Sequence, residues 1–197
     1  KYIKQDINKS IYYYSLAANQ NVPHAQYNLG MIYLDGYYTK QDISKSIHYL
    51  SLAANQNIPE AQFAIGCIYY GGKYIKQDIN KSIYYYSLAA NQNHLLAQYN
   101  LGVIYSENKY ITQNINKSIY YYSLAANQNH PISQFTLGVF YYEGKYVKQD
   151  INKSIYYFSL AANQNHPRAL YNLGIFNYEG KYVKQNIDKS IHYLTLA

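Results

Sequence analysis

The sequence predicts an all-α solenoid in which short helix pairs stack one on another. Three sequence features predict this fold. A tripeptide Lys-Ser-Ile, a hexapeptide Leu-Ala-Ala-Asn-Gln-Asn and a single glycine each recur every 36 residues. A helix pair of this size cannot bury its apolar side alone, so regular repetition indicates stacked pairs that share a core. The tripeptide begins at Lys9, Lys45, Lys81, Lys117, Lys153 and Lys189, the hexapeptide at Leu16, Leu52, Leu88, Leu124 and Leu160, and the glycines are Gly30, Gly66, Gly102, Gly138 and Gly174.

The first helix of each pair, here called helix A, is represented by residues 23–34. At 100° per residue, Ala25, Gln26 and Leu29 fall on one face of this segment, and Tyr27 and Met31 fall on the opposite face. Four of the five periods place a proline at the first position, where a missing N–H is tolerated. In the third period Leu95 takes that position.

The second helix, helix B, is represented by residues 43–55. Ser46, Ile47 and Leu50 share one face with a pair of alanines near the end of the helix, which is again a helical period. The bulky side chains fill the layer between helices, and the small ones allow helices to approach closely. Asp42, or an asparagine at the same position in some periods, precedes this helix as its predicted N-cap.

Two residues in each period predict the chain reversals. Asn57 and its equivalents follow helix B, and asparagine is the second most common residue after glycine at the left-handed position that ends a helix. Gly36 and its equivalents open the loop between helix A and helix B, with Asn108 in the third period. We expect a positive φ at both places.

Composition excludes several classes of protein. With 49% hydrophobic and 14% charged residues in 197, the chain is not a charge-dominated disordered segment. No apolar run approaches the roughly 20 residues that span a bilayer. A lone cysteine, Cys67, excludes an internal disulfide, so we expect a reducing, cytoplasmic location. Residues 1–197 are predicted to form one repeat array with partial repeats at both ends, and a first residue other than methionine suggests a fragment of a longer chain.

One period of the sequence resembles the Sel1-like repeat, a relative of the tetratricopeptide repeat. The matching residues are Ala25, Leu29, Gly30, Tyr33 and Gly36, then Asp42, Lys45 and Ser46, and finally Ala53 and Ala54. The pattern recurs along essentially the whole chain. It departs from the family where Tyr38 stands in place of a second loop glycine and where Ser46 stands in place of an alanine.

The resemblance implies a right-handed solenoid that acts as a non-catalytic protein-binding scaffold or signalling adaptor. In the related tetratricopeptide solenoids, helices A line a concave groove that holds peptides. Aromatic rings give contact area at low entropic cost, and asparagines can bond an extended backbone. The alternative is that the rings pack between adjacent helices, although Tyr99 and Asn100 are expected to lie away from the packed face. The predicted groove residues are Tyr27, Asn28, Met31, Phe63, Tyr99, Asn100, Val103, Phe135, Thr136, Tyr171 and Asn172.

The lysines form a second candidate surface, because all of them fall in the loop or in the first turn of helix B. Stacked repeats would align them along one edge, where they could simply keep the array in solution. The functional alternative is electrostatic binding of nucleic acid or of an anionic membrane, with a steep dependence on salt. The edge includes Lys73, Lys76, Lys81, Lys109, Lys117, Lys145, Lys148 and Lys153.

Catalysis and metal binding are not predicted. His94, His130 and His166 share one phase, but stacked repeats about 10 Å apart cannot bring them to one zinc held at about 2.1 Å. Cys67 has no partner base in the sequence pattern and takes a position that is otherwise apolar. We therefore expect no enzyme activity, no cofactor and no metal. The expected partners are proteins or peptides. The uncapped terminal helices also allow the chain to associate with itself.

Overall fold

The computed structural model describes residues 7–107 and 111–197, and the regular structure within these ranges is entirely α-helical. Odd-numbered helices are of type B and even-numbered helices are of type A, in the predicted alternation. The helices are α1 (Ile7–Asn19), α2 (Pro23–Asp35), α3 (Ile43–Asn55), α4 (Pro59–Gly71), α5 (Ile79–Asn91), α6 (Leu95–Ser106), α7 (Ile115–Asn127), α8 (Pro131–Glu143), α9 (Ile151–Ala162), α10 (Pro167–Glu179) and α11 (Ile187–Leu196). The predicted all-α repeat solenoid is confirmed.

The start of each B helix is set by the predicted side-chain cap. In α3 the Asp42 carboxylate accepts a hydrogen bond of 3.0 Å from the Lys45 backbone N–H. Asn114 and Asn186 do the same for α7 and α11 with their amide oxygens. Such a cap satisfies one of the N–H groups that a helix leaves unpaired at its first turn. Asp6, which is predicted to cap α1 in the same way, lies outside the described residues.

The chain reversals also follow the prediction. Asn57 has a φ of 61° in the turn that leaves α3, and four equivalent asparagines have φ between 58° and 63°. Gly36 has a φ of 65° after α2, which an L side chain rarely adopts. Gln41 then closes this loop, because its side-chain amide donates to the Leu34 carbonyl at 2.6 Å. Asn108, the predicted loop residue of the third period, lies outside the described residues.

Within a repeat, helix A presents a glycine notch to helix B. An added Cβ at Gly102 of α6 would lie 2.7 Å from Cδ1 of Tyr122 in α7. The glycine therefore makes room for a ring that is 4% exposed. The same notch faces a leucine, tyrosine or phenylalanine in every repeat, in the pairs Gly30–Leu50, Gly66–Tyr86, Gly102–Tyr122, Gly138–Phe158 and Gly174–Leu194.

The residues form two compact units, Lys1–Ala97 and Gln98–Ala197. The core of the first unit is built on Leu50, Ile65 and Ile68, with alanines of α3 and α4 around them. In the second unit, Phe158 and Leu173 belong to a core cluster of α9 and α10. That all repeats form one array over residues 1–197 stays a prediction.

None of the helices in the described part of the chain is long and apolar enough to cross a lipid bilayer.

Candidate functional site

The predicted groove residues lie on the side of the A helices that faces away from the most deeply buried side chains. Most of them are half-buried, whereas Tyr171 is 54% exposed. Their neighbours Gln26 and Leu29 on the opposite side are fully buried. The two faces that helical periodicity separates therefore differ in burial. Which residues each face contacts depends on how the neighbouring helices pack against it.

In the first unit this face forms a cavity of about 540 Å³ between α2 and α4, which we call the α2–α4 cleft. The structure brings three predicted residues together there, namely Tyr27, Met31 and Phe63. Asn28 is not among the residues that line the cleft. The volume falls in the range of pockets that hold small ligands or several side chains. The cleft is lined by Tyr27, Met31, Leu34, Glu60, Phe63, Ala64, Cys67, Ile68, Gly71, Lys73, Tyr74, His94 and Leu96.

Cys67 belongs to the wall of this cleft and not to a nucleophilic site. The Tyr86 hydroxyl donates a hydrogen bond of 3.3 Å to its Sγ. Burial raises the pKa of the Cys67 thiol, an effect that exceeds the lowering by the Tyr86 hydrogen bond. The thiol is therefore protonated at neutral pH and acts as a small apolar side chain.

In the second unit the predicted residues are less concentrated. Phe135 and Thr136 line a shallower cavity of about 430 Å³, together with His166 and Arg168. Tyr171 and Asn172 lie on α10 and do not line that cavity. Val103 of α6 packs against the core cluster of Tyr122 and Leu137.

Phe63 and Tyr99, two of the predicted aromatic residues, are also packing residues. The Phe63 ring stacks on the His94 ring, with centroids 4.5 Å apart, and lies 5.6 Å from the Tyr86 ring. The Tyr99 ring lies 4.8 Å from His130 and 6.1 Å from Tyr122. The expectation that Tyr99 lies away from the packed face is therefore wrong. An aromatic ring on this face supports the core with one side and borders the candidate site with the other.

Two histidines, His94 before α6 and His130 before α8, cap these helices while their rings contact the same aromatic residues. Nδ1 of His94 accepts a hydrogen bond of 3.2 Å from the Ala97 backbone N–H. Nδ1 of His130 accepts one of 3.3 Å from the Ser133 backbone N–H. A protonated ring could not accept either bond. Burial lowers the pKa of His94, His130 and His166, although Glu60 partly opposes this at His94 and Arg168 adds to it at His166.

These lowered pKa values predict that mild acid destabilises the fold. The unfolded chain, with histidine pKa values near 6.5, binds more protons than the folded chain just below that pH. The stability that the neutral histidines contribute is therefore present above about pH 6.5. It is lost as the pH falls from there through the lower pKa values of the folded chain. We expect the midpoint of urea unfolding to fall between pH 7.5 and pH 5.5. The variant His94→Asn, His130→Asn keeps capping side chains and should show a smaller fall, whereas an equal fall in both proteins would contradict this origin.

The lysines of the basic edge have local partners in the described structure. Nζ of Lys81 lies 3.9 Å from a carboxylate oxygen of Asp78 and 5.0 Å from the centroid of the Tyr69 ring. Lys153 has the same two kinds of partner, whereas Lys117 lies over the Tyr105 ring beside the neutral cap Asn114. These lysines therefore have partners within their own repeat.

The loop lysines show a similar arrangement. Lys73 and Lys145 each place Nζ 4.8 Å from the ring centroid of the following tyrosine. Lys76 and Lys148 are exposed. Lys109 lies outside the described residues. Whether this surface binds an anionic ligand stays a prediction.

A ladder of buried glutamines was missed by the sequence analysis. Gln62 is 1% exposed, and its amide donates to the Ala54 carbonyl at 3.1 Å while its oxygen accepts from Gln92 at 2.8 Å. A polar residue at one fixed position of an apolar face was the available signal. In the fifth period Leu170 takes this position. The equivalent glutamine pairs are Gln26–Gln56, Gln62–Gln92, Gln98–Gln128 and Gln134–Gln164.

Among the described residues, no group of three or more His, Cys, Asp or Glu side chains is arranged to hold a metal ion.

Comparisons with known proteins agree with the repeat pattern. A family model described as "Sel1 repeat" matches residues 1–22, 23–58, 59–94, 95–130, 131–166 and 167–197. A comparison with curated protein sequences finds no match.

Several solved structures are similar to this chain. A protective antigen of uropathogenic Escherichia coli with an SLR fold is 29% identical with a TM-score of 0.90, and the match covers 94% of this chain but only 40% of the antigen. A Sel1 repeat protein from Oxalobacter formigenes is 28% identical with a TM-score of 0.81, over 98% of this chain and 80% of that one. An immunity protein from Pseudomonas aeruginosa, 19% identical with a TM-score of 0.54 over 98% of this chain and 74% of its own, shares the fold alone.

Proposed function

Because the chain belongs to the Sel1 repeat family, we propose that it is a non-catalytic protein-interaction scaffold that binds peptide segments of a partner protein on the outer face of its A helices. The observation that carries this proposal is the α2–α4 cleft, where Tyr27, Met31 and Phe63 border one largely apolar cavity. Concave apolar sites with a few polar groups at their edges are the usual binding sites of proteins.

The packing of the aromatic rings fits this role. Phe63 is held by His94 and Tyr86, so its free edge is fixed before a ligand arrives. A rigid ring loses little conformational freedom on binding, and preorganisation of this kind raises affinity. The basic edge is a weaker candidate, because Lys81 and Lys153 already have carboxylate partners within their own repeats.

Two matched double variants test the proposal. Met31→Asp with Thr136→Asp changes one half-buried residue of the candidate face in each unit. Lys76→Gln with Lys148→Gln changes one exposed lysine of the edge in each unit. Both variants lower the net charge by the same amount. The ligands are heptapeptides selected on the unaltered chain from a random displayed library and then synthesised, and their affinity is measured by fluorescence anisotropy.

We expect the Asp double variant to lose at least tenfold in affinity, or about 1.4 kcal/mol, because it places a carboxylate among desolvated apolar contacts. The Gln double variant should stay within about threefold, and circular dichroism should show both variants folded. The opposite result, in which only the Gln variant loses affinity and binding falls steeply with salt, would favour the electrostatic alternative. A library that yields no binding peptide would also count against the proposal.

A further inference from the structure

Helix α4 differs from the other A helices at three positions on the wall of the α2–α4 cleft. It carries Ala64, Cys67 and Gly71, which are spaced so that they share one helix face. At the first of these positions the other periods carry asparagine or threonine, at the second methionine, valine or isoleucine, and at the third aspartate or glutamate. At these three positions α4 therefore carries small, uncharged residues where the other A helices carry larger or acidic ones.

The two ends of the cleft carry opposite charges. Glu60 lies in the first turn of α4, and Lys73 lies two residues beyond the last turn. Both residues line the cleft and both are exposed. Burial is the largest effect on both neighbouring groups, because it raises the pKa of Tyr27 and lowers the pKa of His94. The Glu60 carboxylate acts to raise the pKa of both. The other periods carry His24, Leu96, Ile132 and Arg168 in place of Glu60, so a carboxylate at this end is particular to α4.

The length of α4 gives the approximate length of the cleft between these two ends. Eleven residues separate Glu60 from Gly71, which corresponds to about 16 Å at 1.5 Å per helical residue. An extended chain rises about 3.3 Å per residue, so about five extended residues cover the same length. Between the ends, Met31, Leu34 and Ile68 offer an apolar surface to the middle of such a segment.

We propose that the α2–α4 cleft binds an extended peptide segment of about five mainly apolar residues, with a cationic side chain at the Glu60 end and an anionic group at the Lys73 end. This proposal rests on the proposed function and names the ligand class for one part of the candidate face. Charge complementarity carries it, because a segment with a charge at each end can pair with both Glu60 and Lys73, which an uncharged ligand cannot do. A segment that carries one charge at each end also fixes its own direction and register in the cleft.

The test uses three labelled heptapeptides that differ only at their ends. The probe Lys-Ser-Leu-Ser-Leu-Ser-Glu, with blocked termini, places both leucines and both charges on one side of an extended chain. The controls carry lysine at both ends or glutamate at both ends. We expect the mixed-charge probe to bind at least tenfold more tightly than either control in low salt, by fluorescence anisotropy.

Two charge reversals in the protein should move this preference in opposite directions. Glu60→Lys makes both ends of the cleft cationic, so the peptide with two glutamates should become the tightest ligand. Lys73→Glu makes both ends anionic, so the peptide with two lysines should become the tightest. Equal affinities of the three peptides for the unaltered chain, or an unchanged order in both variants, would overturn the proposal.

A filled cleft provides the matched structural control. The variant Ala64→Asn, Gly71→Glu introduces residues that other periods already carry at these positions. A Cβ added at Gly71 meets nothing within 4 Å, so this change has room. We expect it to remain helical by circular dichroism and to lose at least tenfold in affinity for the mixed-charge probe.

The remaining outcomes separate this proposal from the proposed function. A helical peptide with its charges eleven residues apart that bound more tightly than the extended probe would overturn the extended ligand. The library peptides provide the last comparison. If they bind the Met31→Asp, Thr136→Asp variant more weakly but bind the filled variant, Ala64→Asn with Gly71→Glu, as tightly as the unaltered chain, the proposed function stands and this inference is overturned.

Discussion

Replacing Gly102 with valine is expected to lower the free energy of unfolding by roughly 1–3 kcal/mol or more, which is the usual cost of forcing extra atoms into a packed core. An added Cβ would lie 2.7 Å from Cδ1 and 2.8 Å from Cε1 of Tyr122. The ring is almost fully buried and cannot turn away into solvent. Unfolding in urea, followed by circular dichroism, measures the effect.

The matched control is Gly71→Ala, which also adds a Cβ to a helical glycine. Nothing lies within 4 Å of that Cβ, so this change should stay within about 0.5 kcal/mol of the unaltered protein or stabilise it slightly. Equal unfolding midpoints for Gly102→Val and Gly71→Ala would show that the close approach of α6 and α7 is not needed for stability.

Replacing Gln62 with leucine is expected to cost about 1–3 kcal/mol, because a buried hydrogen-bonding group loses its partner. The change removes the donor to the Ala54 carbonyl and the acceptor of the Gln92 amide. Gln92→Leu should cost a similar amount, since it leaves the buried Gln62 oxygen without its side-chain donor. Both free energies come from urea unfolding.

The double variant distinguishes this explanation from a simple loss of packing. When both partners are removed, neither is left unpaired, so Gln62→Leu with Gln92→Leu should cost less than the sum of the single changes by at least 0.5 kcal/mol, a difference that a double-mutant cycle resolves. Strict additivity would mean that the two glutamines do not depend on each other and that the ladder contributes only through packing.

The elements of this fold could be predicted from the sequence because short-range chemistry determines them. Asp42 caps the helix that begins one residue later, and Asn57 takes a left-handed conformation within one turn of the helix it ends. The 36-residue period repeats each of these signals, so one period confirms another. Helix boundaries were therefore predictable to within one residue for the two helices that were taken as representatives.

The candidate site was predictable only in part, because it depends on contacts between helices. Periodicity placed Tyr27 and Phe63 on the face that borders the cleft, but it did not single out Ala64 and Gly71, which line the same cleft. A pattern that is averaged over the repeats hides such departures of one repeat from the others. The glutamine ladder was hidden for a related reason, since its partners lie 30 residues apart in the sequence.

The placement of the lysines shows the limit of arguments from composition. An excess of basic residues along one edge suggested an anionic ligand, but Lys81 is held between Asp78 and the Tyr69 ring. An exposed ion pair of this kind contributes little to stability. The nearby carboxylate nevertheless offsets part of the positive charge of the lysine. Charge counts alone could not separate these roles.

The glutamine ladder also bears on how such a chain changes its length during evolution. Each rung joins residues 8 and 30 positions apart, both separations being shorter than the 36-residue period. Unequal recombination that duplicates or removes a whole period leaves every position in the same phase, so the residues of a rung and of a glycine notch keep their register. An insertion of any other length within a rung would break it. The gene can thus grow or shrink in whole repeats without disturbing the glutamine pairs, and later substitutions, such as those in α4, then change one repeat alone.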